Sequence, residues 1–124
     1  MLTAGFIDWQ DLPYRQLSPG VRIRTPYGRN LMLSLVEFEP GAVVSTHSHP
    51  HEQAGIVLEG RMRFTIGAES RIVEPGGSYI VPPDVPHSAE AVDGPVRTLD
   101  VFSPPREDYA RGDNRYVPDA ASPR

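Results

Sequence analysis

Three of the four histidines in this chain of 124 residues lie within five positions of one another. His47 and His49 are separated by one residue, and residues two apart in an extended strand point to the same face. Two imidazoles on one face are a natural pair of metal ligands, because neutral imidazole binds zinc, nickel, iron and copper well. Gln53 offers an amide oxygen, and the distant His87 would complete a site of three nitrogens and one oxygen if the chain folds back.

Other interpretations of this stretch remain open. His51 follows Pro50, which favours a loop position or a contact with a ligand over direct ligation. Glu52 can replace Gln53 as the oxygen donor, because side-chain direction in a loop is hard to read from sequence. The histidines can also be ordinary surface residues of a strand. If Gln53 is the ligand, the metal keeps its full charge, since an amide cancels none of it, and the site favours an anionic ligand.

Composition and charge exclude several classes of function. The chain has no cysteine, which excludes disulfides, iron–sulfur clusters and thiolate zinc sites. It also has no lysine, so Schiff-base chemistry through a lysine is excluded. The net charge of -4 gives no reason to expect nucleic acid as a partner. The N-terminal residues lack a basic start and a long apolar run, so we expect no signal peptide, no membrane span and a cytoplasmic protein.

Short apolar stretches between turn residues predict an all-β domain. We expect nine or ten short strands, among them residues 21–25, 31–38, 42–49, 54–58, 61–66, 69–73, 78–81, 87–92 and 96–102, with turns that include 59–60 and 93–95. No stretch has convincing helical periodicity. We expect one domain over residues 1–124, with an irregular N-terminal arm at 1–20 and a polar tail at 107–124 that either wraps the barrel or is disordered.

Two spaced motifs resemble those of the cupins. The first runs Gly41, His47, His49, Gln53, Gly60, and the second runs Gly76, Pro82, Asp84, His87. Three positions depart from the family pattern, which usually has Glu at Gln53, Gly at Asp84 and Asn at Ala91. The resemblance implies a double-stranded β-helix, a jelly-roll barrel, with its core at about residues 31–103. It also implies one divalent metal ion (Zn, Ni, Mn or Fe) and a homodimer.

A narrower resemblance is carried by the runs HSHPHEQAGIVLEG, SYIVPPDVPHSAEA and DVFSPPREDY. They resemble the small cupins of pectin and alginate breakdown, the KdgF type, which convert 4,5-unsaturated uronates into linear keto sugars. This resemblance implies His47, His49, Gln53 and His87 as metal ligands. It further implies Asp100, Phe102 and Arg106 as the residues that handle the substrate, a small anionic molecule derived from a sugar.

Strand parity places Asp100, Phe102 and Thr98 on one face of the last strand. An acid inside a small barrel is costly unless it is paired, near a metal or functional. Asp100 can also be a structural acid, satisfied by Arg97 or a backbone amide. Phe102 suits the core, and Arg106, beyond Pro104 and Pro105, is by default solvated.

Two remaining features have plain interpretations. Tyr79 suits the core or rim, although a tyrosine near a metal can serve as a base. The tripeptide at positions 111–113 spells Arg-Gly-Asp, which we interpret as chance.

The leading hypothesis is metal-dependent ketonisation of unsaturated uronate monosaccharides, with Asp100, Arg106 and Phe102 as the catalytic residues. A dioxygenase with iron or a similar metal is the first alternative, because three histidines and one oxygen can hold iron(II) with positions open for dioxygen. A metal- or sugar-binding cupin without catalysis is the second. A lyase or isomerase that acts on another small anion is the third.

Overall fold

The computed structural model describes residues 4–110 of the chain. The Arg-Gly-Asp tripeptide and the rest of the predicted tail at 111–124 lie outside the described residues. Within them the strands are β1 Arg15–Ser18, β2 Val21–Arg24, β3 Met32–Phe38, β4 Val43–His47, β5 Glu52–Ile66, β6 Glu69–Val73, β7 Ser78–Val81 and β8 His87–Ser103. A 3-10 helix lies at Trp9–Asp11 and a short helix, α1, at Glu107–Ala110.

All strand pairs are antiparallel, and two long strands organise the barrel. The order is β1-β2-β3-β8-β5-β6, while β4 also pairs with β8 and β7 also pairs with β5. β5 and β8 run side by side along their whole length, from the pair Glu52–Ser103 at one end to Ile66–His87 at the other. Each bends from one face of the barrel to the other, which lets each pair with three strands. The predicted all-β jelly-roll fold is confirmed.

The predicted turns at 59–60 and 93–95 are wrong, because each lies inside a continuous strand. The pairing of β5 with β8 shifts register on both sides of Glu59, which marks a bulge. Gly60 has a φ of 85°, and a Cβ there would meet the carbonyl oxygen of Pro95. A bulge bends a strand and increases its twist without ending the ladder. Turn-forming residues therefore mark bends here, and the described residues contain eight strands rather than nine or ten.

The two chain ends contain more structure than the sequence predicts. The arm expected to be irregular contains β1, which pairs with β2. Helices were not expected, but both that form are too short to show a helical period. The part of the tail that the structure describes packs on the barrel, because Asp108 and Tyr109 of α1 are both buried.

The barrel interior contains an apolar core and a cluster of buried polar side chains. Met62, Phe64, Val57 and Val96 belong to the buried apolar core. Along β8 the residues Val96, Thr98, Asp100 and Phe102 are all buried, which confirms the predicted shared face. Buried polar side chains collect where β4, β5 and β8 meet the C-terminal segment: His49, His51, Gln53, His87, Asp100, Arg106 and Asp108. Across residues 4–110, no helix has the length and apolarity needed to cross a membrane.

Candidate metal centre

Three histidines converge at one end of the barrel. His47 ends β4 and His87 begins β8, and the two are direct partners in the ladder between these strands. Their ring centroids lie 4.2 Å apart. His49, in the loop between β4 and β5, lies 4.8 Å from His87 and 5.7 Å from His47. The ligand atoms of these three side chains all lie within 4.8 Å of one another, so the histidines can hold a metal ion.

A backbone carbonyl two residues away fixes the tautomer of each ring. The Nδ1 atom lies 2.7 Å from the Ser45 carbonyl in His47, 3.1 Å from the His51 carbonyl in His49 and 2.9 Å from the Val85 carbonyl in His87. A carbonyl oxygen only accepts hydrogen bonds, so each Nδ1 carries the proton and donates it. Each Nε2 is then left with its lone pair. This is the arrangement that metal-binding histidines adopt.

Two of the three rings, those of His47 and His49, also stay neutral in the folded protein. Burial lowers the pKa of His47 to about 2, with a smaller contribution from the charge on His87. Burial lowers the pKa of His49 to about 3, and the positive charge of Arg106 adds to the effect. A metal therefore competes with few protons for these nitrogens at neutral pH, because the ring must be unprotonated to bind it.

Gln53 faces the histidines with an oxygen, and this contact tests whether a cation fits. Gln53 Oε1 lies 3.1 Å from His49 Nε2. The Gln53 amide nitrogen donates to Asp100 Oδ2 at 2.6 Å, so its oxygen must face the ring. With Nδ1 protonated, two lone pairs face each other across this 3.1 Å gap, which is unfavourable unless a cation lies between them. The donor set of His47, His49, His87 and Gln53 therefore fits a divalent metal.

The alternative oxygen donor points elsewhere. Glu52 precedes Gln53 at the start of β5, where successive side chains alternate between faces. Glu52 is exposed, whereas Gln53 is buried. The structure therefore brings Gln53, and not Glu52, to the histidine cluster.

Asp100 lies next to Gln53 in a closed hydrogen-bond network. Besides the Gln53 amide it accepts hydrogen bonds from the Tyr79 hydroxyl, at 3.0 Å to Oδ1, and from the Thr98 hydroxyl, at 2.9 Å. Burial raises the pKa of Asp100 to about 6, although the three hydrogen bonds oppose the shift. The interpretation that Arg97 satisfies this acid is wrong. Arg97 lies on the opposite face of β8, where it pairs with Glu37 and Glu59.

Tyr79 is a hydrogen-bond donor in the interior of the barrel. Burial, followed by the negative charge of Asp100, raises its pKa well above the ordinary value, so the phenol stays protonated and is a poor base. Gly55, its ladder partner on β5, makes room for the ring, since a Cβ at this position would lie 2.5 Å from Tyr79 ring carbons.

Arg106 is buried, so the default expectation of a solvated arginine is wrong. Its side chain is 1 % exposed and pairs with Asp108 through two contacts, Nε to Oδ1 at 3.3 Å and Nη2 to Oδ2 at 2.9 Å. Nη1 donates to the Tyr109 hydroxyl at 3.1 Å. The guanidinium carbon lies 4.1 Å from the centre of the Tyr109 ring and 5.2 Å from that of Phe102.

His51 lies beside the cluster, not in it. Its ring is 1 % exposed, and Nε2 lies 2.7 Å from Glu107 Oε1. Its backbone carbonyl accepts a hydrogen bond from His49 Nδ1. His51 thereby connects the loop that carries a candidate ligand to α1.

A cavity of about 50 Å³ remains between these groups. Its polar wall includes His47, Gln53, His87, Asp100 and Arg106. Phe102 and Tyr109 are among its apolar walls, so the C-terminal segment closes it on one side.

Comparison with known proteins gives the family. The cupin domain family matches residues 34–102, more than half of the chain. The chain belongs to the cupin family. The match extends from β3 to β8, and all four candidate ligands of this cupin lie within it.

Three relatives show how similar this chain is to other proteins of known sequence or structure. KdgF from Halomonas sp. superposes with a TM-score of 0.81 and 29 % identity, over 86 % of this chain and 99 % of that one. An RmlC-like cupin from Shewanella frigidimarina gives 0.80 and 27 %, over 86 % and 96 %. An uncharacterized protein of Streptomyces coelicolor is 30 % identical over 91 residues, which are 73 % of this chain and 87 % of the relative. The predicted resemblance to KdgF-type cupins is confirmed.

Several residues of this cupin site escape sequence reasoning. Sequence parity predicts the interior position of Thr98 but not its hydrogen bond to Asp100. The spacing of two between these residues is the signal for that contact. Asp108 and Tyr109 lie in the stretch expected to be a polar tail, and only their nearness to Arg106 hints at a contact. No local signal identifies Gly55 as the residue that accommodates the Tyr79 ring.

Proposed function

We propose that this cupin binds one divalent metal and ketonises a 4,5-unsaturated uronate monosaccharide to a linear keto sugar. The observation that carries the proposal is the arrangement around Gln53. One end of its amide faces a neutral histidine, and the other holds a buried carboxyl. A cation site without a charged ligand thus adjoins an acid that can move a proton. The likeness to KdgF from Halomonas supports this choice of reaction.

His47, His49, His87 and Gln53 would hold the metal. When bound, the metal supplies a Lewis acid whose charge none of these four ligands cancels. The protein itself supplies Arg106, a buried cation in the wall of the same cavity, to bind the substrate carboxylate. Phe102 and Tyr109 give the cavity apolar walls that limit the access of water.

Asp100 is the residue that moves the proton. Ring opening breaks the bond between the anomeric carbon and the ring oxygen; the anomeric hydroxyl loses a proton as it becomes an aldehyde, and the ring oxygen gains a proton to become an enol hydroxyl. The resulting enol becomes a ketone when its oxygen loses a proton and the neighbouring carbon gains one. The whole reaction is an isomerisation, so it needs no oxidant or reductant. A carboxyl in the cavity wall can accept and return protons at both stages.

Entry of a uronate requires the C-terminal segment to move. A monouronate has about a dozen heavy atoms, and pockets for small molecules typically measure roughly 300–1,000 Å³, against about 50 Å³ here. Arg106 and Tyr109 line the cavity, so displacement of their segment would enlarge it without moving the four candidate ligands, which lie on β4, β5, β8 and the loop between β4 and β5.

The test adds purified protein to a freshly made unsaturated monouronate and follows the ultraviolet absorbance of its double bond. We expect a decay much faster than the spontaneous one, abolished by a chelator and restored by metal. Asp100→Asn should slow it by at least about 100-fold. Arg97→Gln, which removes an arginine on the outer face of β8, should not slow the decay. A decay no faster than the spontaneous one contradicts the proposal.

A dioxygenase is the second candidate, because a set of three histidines also suits iron(II) with open positions. The same experiment under nitrogen separates the two. Ketonisation proceeds at an unchanged rate without oxygen, whereas a dioxygenase stops and, in air, consumes oxygen in proportion to product. Assembly as a homodimer stays a prediction, which light scattering can test.

A further inference from the structure

The pair formed by Arg106 and Asp108 is buried on both sides. Arg106 is 1 % exposed and Asp108 is 4 % exposed. The Asp108 carboxylate contacts two nitrogens of one edge of the guanidinium, Nε at 3.3 Å and Nη2 at 2.9 Å. A two-point contact between a carboxylate and a planar guanidinium fixes the plane of the guanidinium as well as its position.

Asp108 contacts Arg106 but does not itself line the cavity. Of this pair, Arg106 lines the cavity together with His47, Gln53 and Asp100, and among the described residues Asp108 does not. The other terminal nitrogen, Nη1, donates to the hydroxyl of Tyr109, which is itself a wall residue. Asp108 therefore contacts one edge of the guanidinium without lining the cavity, while Nη1 contacts a residue of the cavity wall.

The residues on both sides of Asp108 are tied to the barrel. Glu107 contacts His51 Nε2 at 2.7 Å, and the carbonyl of Tyr109 accepts a hydrogen bond from Arg15 Nη2 at 2.7 Å. In this arrangement the backbone of Asp108 is therefore held through both of its neighbours.

We propose that Asp108 is the positioning residue that orients Arg106 in the cavity wall and so makes the cavity specific for a carboxylate. This inference rests on the proposed function, in which Arg106 binds the carboxylate of the uronate. Asp108 touches no substrate and acts through the guanidinium. Because the pair is neutral overall, its contribution to specificity is geometric: it presents N–H donors at a fixed angle, and the metal supplies the net positive charge.

The experiment compares four variants in the metal-loaded protein, with KM and kcat measured on the unsaturated uronate. Asp108→Asn weakens the two-point contact, and Arg106→Gln removes its partner. Asp93→Asn is the matched control, since Asp93 pairs with Arg61 at 2.8 Å on the surface. Asp108→Glu keeps the charge but moves the carboxylate by one methylene. A saturated hexuronate and the matching neutral hexose, tested as inhibitors, report specificity without turnover.

We expect Asp108→Asn to raise KM and the inhibition constant of the hexuronate at least tenfold, with kcat changed less than threefold. Inhibition by the neutral hexose should not change. Asp108→Glu should also raise KM, because geometry rather than charge is lost, and Asp93→Asn should match the parent protein. In nitrogen-15 spectra of the metal-free protein, the Arg106 Nε–H signal should exchange slowly with water in the parent and rapidly in Asp108→Asn.

Each other result overturns the inference. An unchanged KM in Asp108→Asn, alongside a raised KM in Arg106→Gln, shows that Arg106 binds the carboxylate without help from Asp108. Tighter hexuronate binding in Asp108→Asn shows that Asp108 competes with the substrate. An unchanged KM in Arg106→Gln instead removes the carboxylate-binding role of Arg106 from the proposed function. If Asp108→Asn does not fold, Asp108→Glu decides by the same KM criterion.

Discussion

The histidine cluster is held in place by one kind of contact, and Asp100 and Arg106, the two charged residues beside it, are held by another. Each candidate metal-binding histidine is oriented by a backbone carbonyl only two residues away. Asp100 and Arg106 are oriented by side chains, which for Asp100 come from three strands. Backbone carbonyls persist through most substitutions, whereas side-chain partners are lost one at a time. The candidate metal side of the site is thus preformed, and the side that contains Asp100 and Arg106 is the part that sequence changes can tune.

Gln53 belongs to both regions and connects them. Its oxygen faces His49, and its nitrogen donates to Asp100. An amide has one accepting and one donating end, so the partner at one end determines what the other end presents. The acid therefore affects the metal side through the orientation of Gln53, which makes the division between the two regions testable by substitution.

The largest change in metal affinity is expected when a histidine of the cluster is removed. His87→Ala removes one of three nitrogens, and metal affinity should fall by more than the roughly 10–100-fold that is typical when only an outer partner is lost. Competition with a coloured chelator measures it. His51→Asn is the matched control, because its ring lies outside the cluster and its backbone carbonyl remains. Equal losses in the two variants would show that the cluster is not the metal site.

Asp100→Asn is expected to weaken metal binding by about tenfold, a typical effect for an outer partner. The reason is that an asparagine can donate as well as accept, so Gln53 is free to turn its nitrogen toward His49. Asp108→Asn, which changes the other buried acid of the site, should leave metal affinity unchanged. If Asp100→Asn abolishes turnover and metal affinity stays at the parent value, the two regions are independent.

The pH dependence of stability should have opposite signs in the two regions of the metal-free protein. The pKa values of His47 and His49 are lowered from 6.5 to about 2 and about 3, so only the unfolded chain takes up these protons. Their contribution is present above pH 6.5 and is lost as the pH falls below it. The pKa of Asp100 is raised from 3.8 to about 6, so its contribution is lost as the pH rises through about 6.

The histidines outnumber the acid, so stability should fall on acidification. The expected loss is about 1–3 kcal/mol per pH unit between pH 6 and pH 4, since each proton contributes about 1.4 kcal/mol per unit. Urea unfolding with chelator present measures it. Asp100→Asn should steepen the loss in this range, because the opposing group is gone. A shallower dependence in that variant would contradict the assigned shift.

The same contrast explains which parts the sequence predicts. His47, His49 and His87 lie at fixed spacings in short motifs, and the contacts that orient them are local, so sequence alone locates them. Parity along β8 likewise predicts that Asp100 points inward. Its partner Tyr79 lies 21 positions away, and no local pattern reports which strand lies opposite.

Elements that depend on long-range contacts are predicted least well. Gly60 and residues 93–95 have the composition of turns, but long ladders with β8 and β5 override that preference and leave bulges. The burial of Arg106 depends on Asp108, two residues on, and on the fold of α1. The sequence does not predict that Arg106 pairs with Asp108, because polar tails are equally rich in both charges.

The smallest effect is expected where α1 contacts the metal-binding loop. Glu107→Gln replaces the carboxylate that pairs with His51, and the Glu107 side chain is 57 % exposed, so the change in stability should be below about 1 kcal/mol. If the segment with Arg106 and Tyr109 opens to admit ligands, the variant should lose metal to a chelator about two- to fivefold faster. Its equilibrium metal affinity should not change, because all four ligands remain. Glu74→Gln is the matched control, since Glu74 pairs with Arg61 on the outer surface. Equal rates of metal loss in both variants would show that the segment is a fixed wall and that ligands enter elsewhere.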